Sequence, residues 1–225
     1  MKPELLSNYA AKIDHTLLRP DATRDQIANL CLEAEQNKFA TVCVAPCWLG
    51  YIEPSKTYGT TTVIGFPHGN SFFLEKINSS QGYIAKGATE LDIVANIGFI
   101  KSGDWQSVEA EVELFGKLRE RVENVVMKYI VEVGYLTDDE LFKIADMLIK
   151  HKMDYIKTCT GYGPRGVTPE DIAKIKKHVG DAIKIKASGG IASGELFLAV
   201  VEAGADRVGT SSSVRIMESL NMWNL

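Results

Sequence analysis

Lys38-Phe-Ala-Thr-Val-Cys-Val44, Gly87-Ala-Thr-Glu-Leu-Asp-Ile93, Lys152-Met-Asp-Tyr-Ile-Lys-Thr158 and Gly204-Ala-Asp-Arg-Val-Gly-Thr210 align without gaps, each where an amphipathic stretch gives way to a β-branched run. Weak self-similarity of this kind is the trace that a repeated supersecondary unit leaves in a sequence. Val42, Leu91, Ile156 and Val208 hold equivalent places in the alignment, and the residues that follow them are Cys43, Asp92, Lys157 and Gly209. Strand side chains alternate between faces. An apolar set packed on helices therefore leaves the second set facing the other way, into the interior if the sheet closes.

Outward from these junctions, strands are expected at 12–16, 41–45, 62–66, 90–94, 126–133, 154–159, 183–187 and 207–209, eight in all. Helical patterns lie between them, among them 23–37, 137–150 and 104–123, the last with Val108, Val112, Phe115 and Leu118 on one face. Asp21, Ser71, Asp104, Thr137, Thr168 and Ser193 are the expected caps, with Thr137-Asp-Asp-Glu140 and the Ser71/Glu75 pair placing acids in first turns. No Pro/Ser-rich linker or charge block interrupts this order, so 1–225 is expected to be one domain. Eight βα units favour a closed (β/α)8 TIM barrel, in the α/β class, over an open doubly wound sheet. The glycine-rich dinucleotide fingerprint is also missing.

The 225 residues are 45% hydrophobic and 24% charged, which excludes a disordered chain. With 25 Lys+Arg against 29 Asp+Glu the net charge is −4, and no basic stripe tracks a phosphate backbone, so no nucleic-acid partner is expected. Apolar runs such as 61–67 are broken well before the roughly 18 residues of a membrane span, so no membrane association is expected. The first residues lack the apolar core and cleavage site of a secretory signal, and the four cysteines contain no CxxC pair. A cytoplasmic protein with reduced thiols is the expectation, Cys43 and Cys47 being packing residues or incidental thiols. Four histidines without HxH or HExxH spacing point away from metal-dependent chemistry, and no cofactor is expected.

Charged residues within the strands carry the chemistry. In Lys184-Ile185-Lys186 the lysines alternate with Ile183 and Ile185, so isoleucines packed on helices turn both lysines inward. The same rule turns Asp14 and Thr16 inward, opposite to Ile13. Asp14, Asp92, Lys157 and Lys186 then converge, with the last two on adjacent strands near the carboxyl ends where barrel active sites lie. A lone lysine is most often a solvated surface group. Two lysines and two carboxylates gathered inside a barrel cost folding energy, and a chemical use explains them better. Desolvation and a neighbouring cation lower an amine's pKa and leave free base to attack a carbonyl. The protonated imine that results is an electron sink for making or breaking an aldol bond, and Asp92 would move protons, directly or through a water.

Ser188-Gly189-Gly190 after the seventh strand and Gly209-Thr210-Ser211-Ser212-Ser213 after the eighth hold the positions of the common barrel phosphate site. One Gly-Gly pair is more simply a tight turn; two such loops at the right strands point to phosphate. Thr158 and Thr160, beside Lys157, add hydroxyls for a polar substrate. Other residues take blander readings: His15 and His68 as packed or hydrogen-bonded strand-end residues, Lys128 and Glu132 as a structural pair on one strand face, Trp105 as core, Arg165 as an exposed loop residue.

Ile13-Asp-His-Thr-Leu-Leu18, Val42-Cys-Val44, Ile64-Gly-Phe-Pro67, Glu90-Leu-Asp-Ile-Val94, Ile156-Lys-Thr158, Lys186-Ala-Ser-Gly-Gly-Ile191 and Gly204-Ala-Asp-Arg-Val-Gly-Thr-Ser-Ser212 occur in this order. Together they resemble the deoxyribose-phosphate aldolase family nearly end to end. The resemblance implies a class I aldolase that reversibly cleaves 2-deoxy-D-ribose 5-phosphate to acetaldehyde and D-glyceraldehyde 3-phosphate in deoxyribose phosphate catabolism, as a homodimer or homotetramer. It also implies Lys157 as the Schiff-base lysine, Lys186 as the second lysine that tunes it, and Asp92 as proton donor and acceptor, the three residues that the strand pattern brings together. The glycines and hydroxyls of the loops, with Asp14 and Thr16, are the expected substrate contacts. Ala45, Cys159, Ala192 and the Tyr162-Gly-Pro-Arg165 loop depart from the family pattern. Two rivals stand beside this reading: a lysine aldolase or transaldolase with a ketone donor, and a phosphate-binding barrel without imine chemistry, which leaves the paired lysines unexplained.

Overall fold

The computed structural model describes residues 3–222, so the ends of the expected 1–225 span lie outside the described residues. Eight parallel strands close into a barrel in chain order: β1 (Ile13–Leu17), β2 (Thr41–Val44), β3 (Gly59–Ile64), β4 (Glu90–Val94), β5 (Val126–Ile130), β6 (Tyr155–Lys157), β7 (Lys184–Ser188) and β8 (Arg207–Thr210), which pairs back onto β1. Helix α1 (Pro3–Ala10) precedes the barrel, and α2 (Arg24–Asn37), α3 (Phe73–Ala85), α4 (Ile97–Lys101), α5 (Trp105–Arg121), α6 (Asp138–Lys150), α7 (Pro169–Val179), α8 (Gly194–Glu202) and α9 (Ser213–Met222) follow the strands. The connection from β2 to β3 carries the 3₁₀ turn Pro46–Tyr51 in place of an α-helix. The architecture is a (β/α)8 TIM barrel, as the strand phase predicts.

Local sequence sets the element ends. Thr23 caps α2: its Oγ1 accepts from Gln26 N while the Gln26 side chain accepts from Thr23 N. Asp21, expected as that cap, lies two residues too early and stands 3.6 Å from Arg19 Nε. Ser71 does not cap α3 either, because the helix opens after an extended Phe72 that makes no side-chain cap. Asp104, Thr137, Thr168 and Ser193 cap α5, α6, α7 and α8 as expected. The strand expected at 62–66 runs from Gly59 to Ile64, because Gly65 turns the chain at φ 64. β5 stops at Ile130 rather than at 133, since Glu132 adopts φ 53, and β6 keeps only three residues.

Val42, Leu91, Ile156 and Val208 are fully buried in the apolar layer between strands and helices. α5 adds Val108, Val112, Phe115 and Leu118 to that layer. Burying a side chain of this size contributes about 1.5–3 kcal/mol each. Trp105 packs half-buried against the layer, with Lys143 Nζ 4.3 Å from its ring centroid. Two expectations fail at the ends of strands. His68 is exposed, in the turn after β3, and Lys184 opens β7 on the inner face but in contact with solvent, its Nζ 5.6 Å from the Tyr155 ring centroid. Only Lys186 of the lysine pair in β7 is inside the barrel. Outside the barrel, Lys76 Nζ donates to Glu111 Oε2 and to Val94 O, each at 2.8 Å, and Tyr129 O–H donates to Glu111 Oε1. This buried network had no strand-pattern signal, because Lys76 and Glu111 come from helices.

Phe115 is fully buried, with its ring edge-on to Tyr129 at 6.4 Å. Phe115→Ala should lower the free energy of unfolding by about 3–5 kcal/mol, read from the urea midpoint, without changing the far-ultraviolet signature of the fold.

Candidate active site

Register decides what meets inside the barrel. Asp92 stands opposite Lys128, Lys128 opposite Tyr155, Ile130 opposite Lys157, and Lys157 opposite Lys186. All share the inward parity of their strands. Asp92 Oδ2 accepts from Lys157 Nζ at 2.7 Å and from Lys186 Nζ at 2.6 Å, while Oδ1 accepts from Lys128 Nζ at 2.8 Å. Lys186 Nζ also approaches Asp14 Oδ2 to 2.5 Å, an ion pair without hydrogen-bond alignment. Lys128 Nζ reaches Glu90 Oε2 at 2.6 Å, and Arg207 Nη1 lies 2.6 Å from Asp14 Oδ1 and 3.4 Å from Glu90 Oε2.

Charge balance separates the lysines. Three carboxylates, Asp14, Glu90 and Asp92, face Lys128, Lys186 and Arg207, so the buried cluster is neutral when Lys157 is the free amine. The acidities run the same way. Burial pulls the Lys157 ammonium below the usual lysine range; Asp92 opposes the fall and the Lys186 charge adds to it. Lys186 is equally buried, but Asp14 and Asp92 outweigh that burial and hold it above the usual range. Lys128 is held up against its own burial by Asp92, Glu90 and Asp14. Burial would raise both aspartates, yet the surrounding cations keep Asp14 and Asp92 below the ordinary carboxylate range. Two lysines on neighbouring strands are thus shifted in opposite directions, Lys157 toward the free amine and Lys186 toward the ammonium.

Above Lys157 opens a cavity of about 800 Å³ at the carboxyl ends of the strands. Lys157 is the only member of the charged cluster on its wall. Gly189 and Gly190 form one side at φ 93 and φ 77, backbone in the left-handed region that favours glycine. A Cβ at Gly189 would fall 2.8 Å from Cys159 Cβ, so the close approach of this loop to the β6 loop requires glycine. Gly209, Thr210, Ser211 and Ser212 form the adjoining side, directly ahead of α9.

The sequence model described as DeoC/LacD family aldolase matches residues 9–212. The chain belongs to the DeoC/LacD aldolase family. The deoxyribose-phosphate aldolase of Desulfitobacterium hafniense (strain DSM 10664 / DCB-2) is 45% identical over 213 residues, which cover 93% of this chain and 97% of that protein. That of Thermoanaerobacter sp. (strain X514) is 42% identical over 217 residues, 95% of this chain and 97% of its own. Among solved structures, the tetrameric deoxyribose phosphate aldolase from Aeropyrum pernix matches at a TM-score of 0.89 and 31% identity, covering 97% of this chain and 93% of that one. The aldolase QR15 matches at a TM-score of 0.90 and 34% identity, covering 96% and 97%.

Within this aldolase scaffold most residues singled out from the sequence meet at one place. Lys157, Lys186 and Asp92 are in mutual contact, and Thr16, Thr160, Ser188 and the two glycine-bearing loops line the cavity. Two expected substrate contacts are elsewhere. Asp14 is fully buried behind Lys186, and Thr158 is fully buried too, its Oγ1 donating to Ser188 O and accepting from Ser188 N, each at 3.0 Å. Lys128 and Glu132 do not pair. Glu132 turns out of the strand line, and its Oε2 accepts from Thr160 N at 3.0 Å and from Thr160 Oγ1. Lys128, Glu90 and Arg207 belong to the cluster and were missed as such. The signal for Lys128 was available in Met127-Lys128-Tyr129, the same alternation that turned Lys186 inward.

His15 is buried and hydrogen-bonded, as expected, but lies in the middle of β1 rather than at a strand end: Nε2 lies 2.7 Å from Glu33 Oε2 and Nδ1 2.9 Å from Ser213 Oγ. Arg165 is exposed and pairs with Asp171 at 2.6 Å. Cys43 is buried, which pushes its thiol up to about 11, whereas Cys47 is exposed rather than packed. Among the described residues no group of three His, Cys, Asp or Glu side chains is placed to hold a metal ion, and no helix is long and apolar enough to cross a membrane.

The depressed aspartates give a pH dependence with a definite sign. A carboxyl held below its unfolded value, about 3.9, stabilises the fold fully above that pH and loses the contribution as pH falls through the folded value. Urea midpoints should therefore fall steeply below about pH 4, and Asp14→Asn should be less stable at neutral pH with a shallower acid limb.

Proposed function

We propose that this aldolase reversibly cleaves 2-deoxy-D-ribose 5-phosphate to acetaldehyde and D-glyceraldehyde 3-phosphate through a Schiff base on Lys157. One observation carries the reading: Lys157, whose ammonium burial pulls below the usual lysine range, is the only group of the charged cluster that faces the cavity, on whose wall lie the glycine and hydroxyl loops suited to a phosphate. The deoxyribose-phosphate aldolases named above, similar over nearly their whole length, support the choice of substrate.

In this reading the Lys157 amine attacks C1 of the ring-opened sugar phosphate. The carbinolamine takes a proton from the Lys186/Asp92 pair and loses water, leaving a protonated imine. Asp92, acting through a water, accepts the C3 hydroxyl proton as the C2–C3 bond breaks. The electron pair of that bond moves into the imine, giving an enamine, and glyceraldehyde 3-phosphate departs. Protonation of the enamine at C2 and addition of water release acetaldehyde and restore the amine. Lys186 and Asp92 act through protons and charge, and the loops at Gly189–Gly190 and Gly209–Ser212 hold the remote phosphate so that its binding energy positions C1. The physiological setting we propose is cytoplasmic deoxyribose phosphate breakdown by a homodimer or homotetramer; the tetrameric Aeropyrum pernix relative supports an assembly.

Trapping tests the chemistry. Borohydride added with acetaldehyde should leave a single reduced two-carbon unit on Lys157, and Lys157→Ala should lose activity by about a thousandfold or more while remaining folded. A folded, active Lys157→Ala protein, or an adduct elsewhere, overturns the assignment. Synthesis with dihydroxyacetone and not acetaldehyde would transfer the protein to the ketone-donor class.

The charge split gives a second test. Replacing Lys186 by Met removes a cation that lowers the Lys157 pKa and leaves the carboxylates in excess, so Lys157 should bind its proton more tightly. The acid limb of the kcat/KM profile should move up by about one pH unit or more, in addition to any fall in rate.

A further inference from the structure

The phosphate reading leaves an electrostatic gap. A sugar phosphate brings a charge of about −1.5 to −2. Two cations stand on the cavity wall, Lys157 and Arg19, and the first is the group that must stay neutral to react. Arg19 has Asp21 at 3.6 Å, and Asp25 and Glu33 occupy the same side of the cavity.

Arg215, on the first turn of α9, lies where the two glycine-bearing loops meet. Its Nη2 donates to Ala192 O at 2.7 Å, in the loop after β7, and to Ser212 Oγ at 3.3 Å, in the loop after β8. Ala192 and Ser212 both line the cavity, so the guanidinium, though not itself on the wall, is hydrogen-bonded to two residues that are. Among the described residues it has no carboxylate partner, whereas Arg119, Arg165 and Arg207 each have one. Its place in the helix also works against local stability. The N-terminal turn of a helix favours negative charge, and α9 carries this arginine there with no acidic residue in that turn. An anion docked against the same turn would reverse that penalty and satisfy the remaining guanidinium N–H groups.

We propose that Arg215 is the cation that recognises the substrate phosphate and sets the preference for phosphorylated over unphosphorylated sugars. The proposal rests on the phosphate reading of the cavity given above. Arg215 bridges the two loops in the free protein and, when substrate binds, shares the phosphate with Ser212. It does not touch the reacting carbons and acts on binding rather than on the imine steps.

The test compares 2-deoxyribose 5-phosphate with 2-deoxyribose in the wild type, Arg215→Gln and Arg215→Lys. For Arg215→Gln the ratio of kcat/KM values, phosphorylated over unphosphorylated, should fall by about tenfold at low salt, through KM rather than kcat, and inorganic phosphate should inhibit more weakly by a similar factor. Arg215→Lys should recover part of the ratio, and added salt should narrow the difference between wild type and Arg215→Gln. An unchanged ratio overturns the proposal. So does an equal loss on both substrates, which would mean that Arg215 only braces the loops. If the wild type cleaves neither sugar, the aldolase substrate has failed and Arg215 is judged by binding alone. Inorganic phosphate titrated by ³¹P NMR should then bind the wild type about tenfold more tightly than Arg215→Gln, and equal binding overturns the proposal.

Discussion

Asp92 shares one carboxylate among Lys128, Lys157 and Lys186, each within 2.8 Å, and the interior of the barrel is organised around that contact. An aliphatic interior would be the simpler way to fill a barrel of this size. Here the interior is charged, and removing a charged partner would leave another uncompensated in a buried place. The register of β4, β5, β6 and β7 is therefore fixed from both sides. Leu91 and Ile156 must face the helices, and Asp92 and Lys157 must meet inside. A one-residue slip of any of these strands would put charge into the apolar layer and hydrocarbon against Asp92.

That double constraint explains what could be read from the sequence. The four aligned junctions gave the phase of β2, β4, β6 and β8 because a strand buried on both sides still separates apolar from polar positions when its inner face is charged. Lys186 was legible by alternation with its isoleucines. Lys128 obeys the same alternation but looked paired with Glu132, four residues along what read as one continuous strand. The left-handed backbone at Glu132 sends that side chain to Thr160 instead, and periodicity carries no information about such a turn. Lys184 has the correct parity and still stays in solvent, because alternation fixes the face of a side chain and not its height along the strand. Ser71 and Asp21 failed as caps for a related reason. Both are capping residue types close to a helix start, and the cap is chosen by backbone geometry within a window of a few residues. Arg215 had no sequence signal at all, since its significance depends on two loops far apart in the chain.

The cavity wall is tied to the charged cluster by hydrogen bonds that leave little freedom. Thr158, next to Lys157, exchanges two hydrogen bonds with Ser188, which opens the Gly189–Gly190 turn. Ser188 Oγ donates to Cys159 O at 2.6 Å, and Glu132 holds Thr160 from the other side. On the far wall, His15 connects Glu33 of α2 to Ser213 at the start of α9. The distance from the amine to the anion-facing loops is thereby set by strand ends and short tethers rather than by a mobile segment. Geometry of that kind favours a reaction in which one end of the substrate is anchored while the other is attacked.

Charge balance also bears on the order of events in the proposed cycle. With Lys157 neutral the buried cluster has no net charge, and the carbinolamine and the enamine preserve that condition. The protonated imine alone puts a positive charge at the Lys157 nitrogen, 2.7 Å from Asp92 Oδ2 in the free protein, and the proton given up by the Lys186/Asp92 pair offsets it. In that cycle Asp92 makes the intermediate accessible, but the ammonium of Lys128 already draws on the same carboxylate and limits how far it can be stabilised. The imine is thus left as a strong electron acceptor. Breaking the C2–C3 bond delivers the electron pair that neutralises it, and the C3 hydroxyl proton restores the Lys186/Asp92 pair. A barrel with Asp92 and a single lysine would hold the cation more firmly and make it a poorer sink. In the proposed cycle the two additional lysines, costly as they are to bury, compete for Asp92, and Lys186 lowers the Lys157 pKa, which favours the unprotonated nucleophile before the reaction and an electron-poor imine during it.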